Sequence, residues 1–147
     1  MTIKLLSTAT LITITLTACG KISIEEQMKD CRSVAPQHIE NILTGMENTV
    51  DIGKFKLSHV YAVRSNDRKK IYFVSGELIY IPTSTFHGTG TWVLNNIDSQ
   101  GSFYWAMPGP AVDLTIYPDA TQNKAKISIW DHGYTQSRDC TRLGAEN

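Results

Sequence analysis

Ile71-Tyr72-Phe73-Val74-Ser75-Gly76-Glu77-Leu78-Ile79-Tyr80-Ile81 is the stretch from which the fold is read. It carries the strongest strand signal in the chain, and both of its alternating faces bear apolar or aromatic residues. A half-buried edge strand would alternate with polar residues, so this run is expected at the centre of a sheet. Pro82 ends it, because proline cannot donate to a strand ladder. Upstream, Ser65-Asn66-Asp67-Arg68-Lys69-Lys70 is a charged turn, which makes residues 54–64 the antiparallel neighbour. There Phe55 and Leu57 set one phase and Val60 and Ala62 another. That shift predicts a bulge or bend near His59.

Downstream the chain repeats short strand signals between turns. Residues 83–90 read as a polar loop leading into a strand at 91–94. A turn at 95–101 precedes a strand at 102–107, and Pro108-Gly109-Pro110 punctuates again. Strands are then expected at 112–117 and 125–130, separated by a turn. Before the sheet lie helical signals. Ser23 and Glu26 have the spacing of a capping box, and Ile24, Met28, Cys31 and Ala35 form one helical stripe. Pro36 suits the first position of a second helix carrying Ile39, Ile42, Leu43 and Met46, with Gly45 as a C-terminal cap, and after Asp51-Ile52-Gly53 the composition changes to strand formers. His38 beside that stripe reads as a surface or half-buried residue. The expected fold is α+β, with one or two N-terminal helices packed on an antiparallel sheet of five or six strands.

The first nineteen residues read differently. Lys4, an apolar run from Leu5 to Leu16 and a small-residue site form a secretory signal peptide, too short to span about 30 Å of hydrocarbon. Leu16-Thr17-Ala18-Cys19 resembles the bacterial lipobox. The resemblance implies cleavage before Cys19, lipid on Cys19 and anchorage in a bacterial cell envelope. Gly20, where an aspartate would retain the protein at the inner membrane, implies the outer membrane facing the periplasm in a Gram-negative host. The expected division is a signal peptide at 1–18, the lipidated cysteine and a short tether at 19–22, and one globular domain at 23–147. Four extended residues reach only about 14 Å, so the domain should ride close to the bilayer.

Composition narrows the partners. Fourteen Lys and Arg balance fourteen Asp and Glu, and loss of Lys4 leaves a slight negative excess. Such a chain has no overall electrostatic footprint for nucleic acid, so none is expected as a partner. The expected partners are the membrane, through lipid on Cys19, and an envelope protein. With Cys19 assigned to lipid, Cys31 and Cys140 remain. In an oxidising compartment an even remainder reads as a disulfide, worth roughly 4–5 kcal/mol for so long a loop.

Candidates for chemistry are sparse. His38, His59, His87 and His132 show no metal-ligand spacing, and nothing calls for a cofactor. Asp131-His132 and Ser84-Thr85-Phe86-His87 juxtapose suitable groups, but neither comes with an orienting acid or an oxyanion hole, and no catalytic residue is assigned. The aromatics are the better lead. Phe103-Tyr104-Trp105 cannot all face one way on a strand, so Trp92, Phe103 and Trp105 are the candidate binding surface.

Two further resemblances bear on role. Trp92-Val93-Leu94-Asn95, Ile127-Ser128-Ile129 and Ser137-Arg138-Asp139-Cys140 resemble the end of an uncharacterised family of small secreted bacterial proteins, which implies a fold and no activity. Small periplasmic lipoproteins that inhibit host lysozyme carry a Ser-Gly-x-x-Tyr signature. Ser75-Gly76-Glu77-Leu78-Ile79-Tyr80 is similar but one residue longer, which turns Tyr80 to the other strand face. The expected role is a non-enzymatic binding or accessory module near the membrane; the alternative is an inhibitor of an extracellular hydrolase such as lysozyme.

Overall fold

The computed structural model describes residues 22–47, 54–99 and 101–147. The lipobox, Cys19 and Asp51-Ile52-Gly53 lie outside the described residues. Four strands, β1 (Phe55–Arg64), β2 (Tyr72–Tyr80), β3 (Thr85–Leu94) and β4 (Trp105–Ala106), form an antiparallel sheet in the order β1-β2-β3-β4. The α+β class is as expected, and β2 is central. The ladder from β1 to β2 shifts register between Ser58 and Tyr61, where His59 adopts a φ of +48°, so the phase change in the sequence is a true bulge.

The count of five or six strands is corrected to four. Residues 112–117 are no strand: Pro110 opens a short helix, α3 (Pro110–Leu114), which buries Ala111 and Leu114. Alternation of Val112, Leu114 and Ile116 mimicked a strand, while the i, i+3 pair Ala111/Leu114 points inward. Residues 125–130 are turns and irregular chain instead of a strand, and the Arg68 guanidinium takes the carbonyls of Ala125 and Lys126 that a ladder would have used. Strand β3 starts earlier than expected and absorbs most of the supposed loop. Gly90 lies under the Trp92 indole, where a Cβ would sit 2.4 Å from the ring.

The N-terminal stripe is likewise shortened. Helix α1 (Ile24–Gln27) is one turn long, capped by Ser23 Oγ accepting the Glu26 N–H at 3.2 Å. Glu26 does not complete the box; its carboxylate pairs with Lys29 at 2.7 Å and raises the Lys29 pKa. Past the turn, Arg32 pairs with Ala62 of β1 as extended chain. Helix α2 (Pro36–Glu47) begins at Pro36 as expected, but Gly45 lies inside it, bare because the Tyr117 ring occupies the space of a Cβ.

Helix α4 (Tyr134–Ala145) has no counterpart in the sequence reading. It packs across β1 and β2 on one face of the sheet, while α2 and α3 contact β1 and β3. Two cores result. Ile42, Met46, Ala62, Val74, Leu78, Trp92 and Leu94 belong to the larger, and Phe73, Val93, Met107, Ala120 and Ile127 form the smaller. The paired row Ala62–Val74–Trp92–Ala106 lines the first, and Val63–Phe73–Val93–Trp105 runs beside it with opposite facing. Cys31 and Cys140 are joined, Sγ to Sγ at 1.98 Å, across 109 residues. That bond ties the segment after α1 to α4.

Candidate functional surface

Strand β2 sets two ends. Its Tyr72 end, opposite Leu94, carries the charged β1–β2 turn; its Tyr80 end, opposite Thr85, carries the β2–β3 turn, about 26 Å away at 3.3 Å per residue. At the Tyr80 end Ile81 and Phe86 are exposed, Phe86 by 61%. His87 packs edge-on against Phe55 at 5.2 Å.

The Tyr72 end is built around Arg68. Its Nε donates to Asp131 Oδ2 at 2.5 Å, and its Nη1 and Nη2 donate to Ala125 O at 2.6 Å and Lys126 O at 2.9 Å. Asp131 Oδ2 also accepts the Ser128 N–H, Ser128 Oγ accepts the Trp130 N–H, and the His132 N–H donates to the Asp67 carboxylate. The guanidinium holds Ala125, Lys126 and Asp131, and Asp67 and Asn66 hold His132, so the β1–β2 turn pins residues 125–132. The product of this bracing is an indole in solvent: Trp130 is 88% exposed, with Ile129 exposed beside it. A groove of about 240 Å³ lined by Asp30, Arg32, Arg64, Asn66 and His132 joins this end to the turn after α1.

The candidate aromatic surface is corrected in part. Trp92 is fully buried in the larger core and offers nothing to a partner. Phe103 and Trp105 stack on each other, centroids 4.1 Å apart, and pack half-buried against the smaller core. The most exposed ring among the described residues is Trp130, at the end of the segment expected as a terminal strand. His38 is also corrected: it is fully buried, with Nδ1 2.6 Å from the Tyr104 hydroxyl, which accepts from Asn41 Nδ2 at 2.8 Å. Tyr117 stacks on Tyr104 and donates to Asn41 O at 2.5 Å; burial, and secondarily Tyr104, raises its pKa.

The histidines are not brought together. His59 pairs with Glu77 at 2.8 Å on the bulge, His87 lies at the Tyr80 end and His132 at the Tyr72 end. No group of three or more His, Cys, Asp or Glu placed to hold a metal occurs among the described residues. Asp131 and His132 lie in a turn and face different partners, Arg68 and Asn66. Ser75 is buried, its Oγ 2.8 Å from both Thr91 Oγ1 and Ser137 Oγ, so the Ser75-Gly76 pair is interior rather than displayed.

No family model, curated protein or solved structure gives a significant match to this chain. The surface must be read from its own chemistry.

Proposed function

We propose that this chain is a lipid-anchored lipoprotein of the bacterial cell envelope, facing the periplasm from the outer membrane in a Gram-negative host. In that role it is a non-enzymatic binding or accessory module held close to the bilayer, with an envelope protein as partner. The observation that carries the reading is Leu16-Thr17-Ala18-Cys19 at the end of a short apolar run. The domain's composition agrees with an oxidising compartment, where a disulfide between Cys31 and Cys140 persists. No helix among the described residues is long and apolar enough to cross a membrane. Nothing in the geometry favours the hydrolase-inhibitor alternative, since its Ser75-Gly76 pair is interior.

The test is fractionation of cells expressing the wild-type chain and Cys19→Ser. Wild type should pellet with membranes after a salt wash, and the N-terminal peptide should carry the mass of lipid. Cys19→Ser should lose both properties. Retention of the Ser variant in washed membranes would overturn the assignment, and density-gradient recovery in inner membranes would overturn the outer-membrane address.

A further inference from the structure

We propose that Trp130, with Ile129 and the surrounding cations, forms a second, non-covalent contact with the bilayer, inserting the indole among anionic headgroups. The proposal deepens the lipoprotein reading and rests on it for the identity of the membrane. Trp130 is the most exposed large hydrophobic among the described residues, at 88%, and the exposed Ile129 beside it extends the apolar surface. Its backbone is not loose. Trp130 N–H donates to Ser128 Oγ at 3.1 Å, and the turn is bolted through Asp131 to Arg68. A braced backbone loses little freedom on insertion, which lowers the cost of making the contact. An indole has an apolar body and an N–H, the combination that favours the headgroup layer.

Charge selects the bilayer over an apolar protein face. Arg64, Lys69, Lys70, Lys124 and Lys126 are exposed around this end, and none of their side chains makes an ion pair among the described residues. Of the nearby acids, Asp131 and Asp67 are consumed internally, by Arg68 and by the His132 N–H, which leaves Asp30 as the exposed acid that faces Arg32 and Arg64 across the groove and keeps the cations in excess. The near-neutral chain therefore concentrates free cations where its exposed tryptophan lies, a pattern that suits anionic lipid. The route of the chain agrees. Gln27 and Asp30, next to α1, line a groove with Val63, and Asp30 shares the neighbouring groove with Arg64 and His132. Gln27 Nε2 donates to Ile22 O, so the segment that carries Cys19 joins the domain at this end.

The experiment uses the full chain purified from membranes and incorporated into phosphatidylcholine vesicles, with or without phosphatidylglycerol and with brominated acyl chains as quencher. Trp92 is buried and Trp105 is stacked under Phe103, so a quenched, blue-shifted component reports Trp130. Wild type should be quenched in phosphatidylglycerol vesicles at least threefold more than Trp130→Phe. The pair Lys69→Glu with Lys124→Glu should lower quenching toward the neutral-vesicle level. Both variants alter exposed side chains, and unchanged near-ultraviolet dichroism will establish that they are folded. Quenching equal in wild type and Trp130→Phe overturns the contact, as does a blue shift that depends on protein concentration without lipid, which would indicate a second copy as occupant. Mass of the N-terminal peptide reads the anchor separately. Lipid-bearing protein that pellets unquenched defeats this contact alone, whereas quenching of protein without lipid defeats the anchor alone.

Discussion

Ser75 in the central strand and Ser137 on α4 meet oxygen to oxygen at 2.8 Å, and both side chains are completely buried. Helix α4 is seated on the sheet by hydroxyls. Thr91 Oγ1 lies 2.8 Å from the same Ser75 oxygen, and Thr141 Oγ1 donates to Ser75 O at 2.9 Å. Each hydroxyl is satisfied by another, which removes the cost of burying it. Ser75→Ala takes the hub away and removes one of two partners from each neighbour, leaving Thr91 Oγ1 with Arg138 Nη1 and Ser137 Oγ with Tyr134 O. It should cost about 1–3 kcal/mol in urea unfolding. Thr83→Ala, which removes an exposed hydroxyl from a pair with Thr85, should change stability by less than about 0.5 kcal/mol. Equal effects of the two would show that the buried network contributes nothing beyond a surface pair.

The Cys31–Cys140 bond closes 109 residues and links the segment before α2 to the helix that ends the chain. The double Cys→Ser variant should lose about 2–5 kcal/mol, with α4 the first element to gain hydrogen exchange. Peptide mapping without reduction should recover the two cysteines in one linked species. Free thiols in protein taken from the oxidising compartment would refute the pairing.

The sheet was legible in the sequence wherever apolar alternation was honest. Strand β2 carries apolar residues on both faces and is central, and the phase shift at Ser58-His59 is a bulge. The cysteine pair was legible by parity. Helix α4 was not, because its buried residues are Ser137, Cys140, Thr141 and Leu143, with Gly144 against Tyr61, and apolar periodicity cannot see a face with two hydroxyls, a glycine and one leucine. Trp92 and Trp130 were exchanged for a related reason. Which ring is buried depends on partners far along the chain: Gly90 makes room for Trp92, while Arg68, 58 residues from Lys126, draws the Trp130 segment out of any ladder.

Gly144 separates helix propensity from packing. In an isolated helix, alanine is better than glycine by about 1 kcal/mol. Here a Cβ at position 144 would stand 2.4 Å from the Tyr61 ring. Gly144→Ala should therefore destabilise by about 1–3 kcal/mol despite its propensity. In a Tyr61→Ala background the obstruction is gone, and the same substitution should become neutral or stabilising. A penalty of the same size in both backgrounds would contradict the contact.

Tyr117 makes a prediction for alkaline pH. Burial, assisted by Tyr104, holds its pKa above the ordinary 10.0. As pH rises past 10 the unfolded chain gives up this proton first, so the folded state binds more protons and stability falls with pH. The contribution is fully present below the unfolded value and is lost as pH climbs through the folded one. Tyr117→Phe should be less stable at neutral pH by about 0.5–1.5 kcal/mol, for want of the bond to Asn41 O. Its unfolding free energy should fall less steeply than wild type between pH 10 and higher values. Parallel curves would show that the phenol is no harder to ionise in the fold than outside it.

Arg68 carries the last prediction, because its three hydrogen bonds hold the loop that displays Trp130 while touching little else. Its partners are Asp131, Ala125 O and Lys126 O, and the Asp131 pair is only partly buried. Arg68→Met keeps much of the aliphatic stem and removes the donors. The global cost should be modest, about 1.5–3 kcal/mol, since charged hydrogen bonds are lost but both cores remain. The local effect should be larger. Amides of residues 125–132 should exchange at least tenfold faster, while those of β2 and β3 should slow or speed only with global stability. If Asp131 is the decisive partner, Asp131→Asn should reproduce part of the effect, because the amide oxygen still accepts a bond but carries no charge. Lys70→Met, on the same turn with no bond into the loop, should do nothing. Uniform acceleration across the sheet would mean that Arg68 supports the whole fold, and the braced presentation of Trp130 would lose its physical basis.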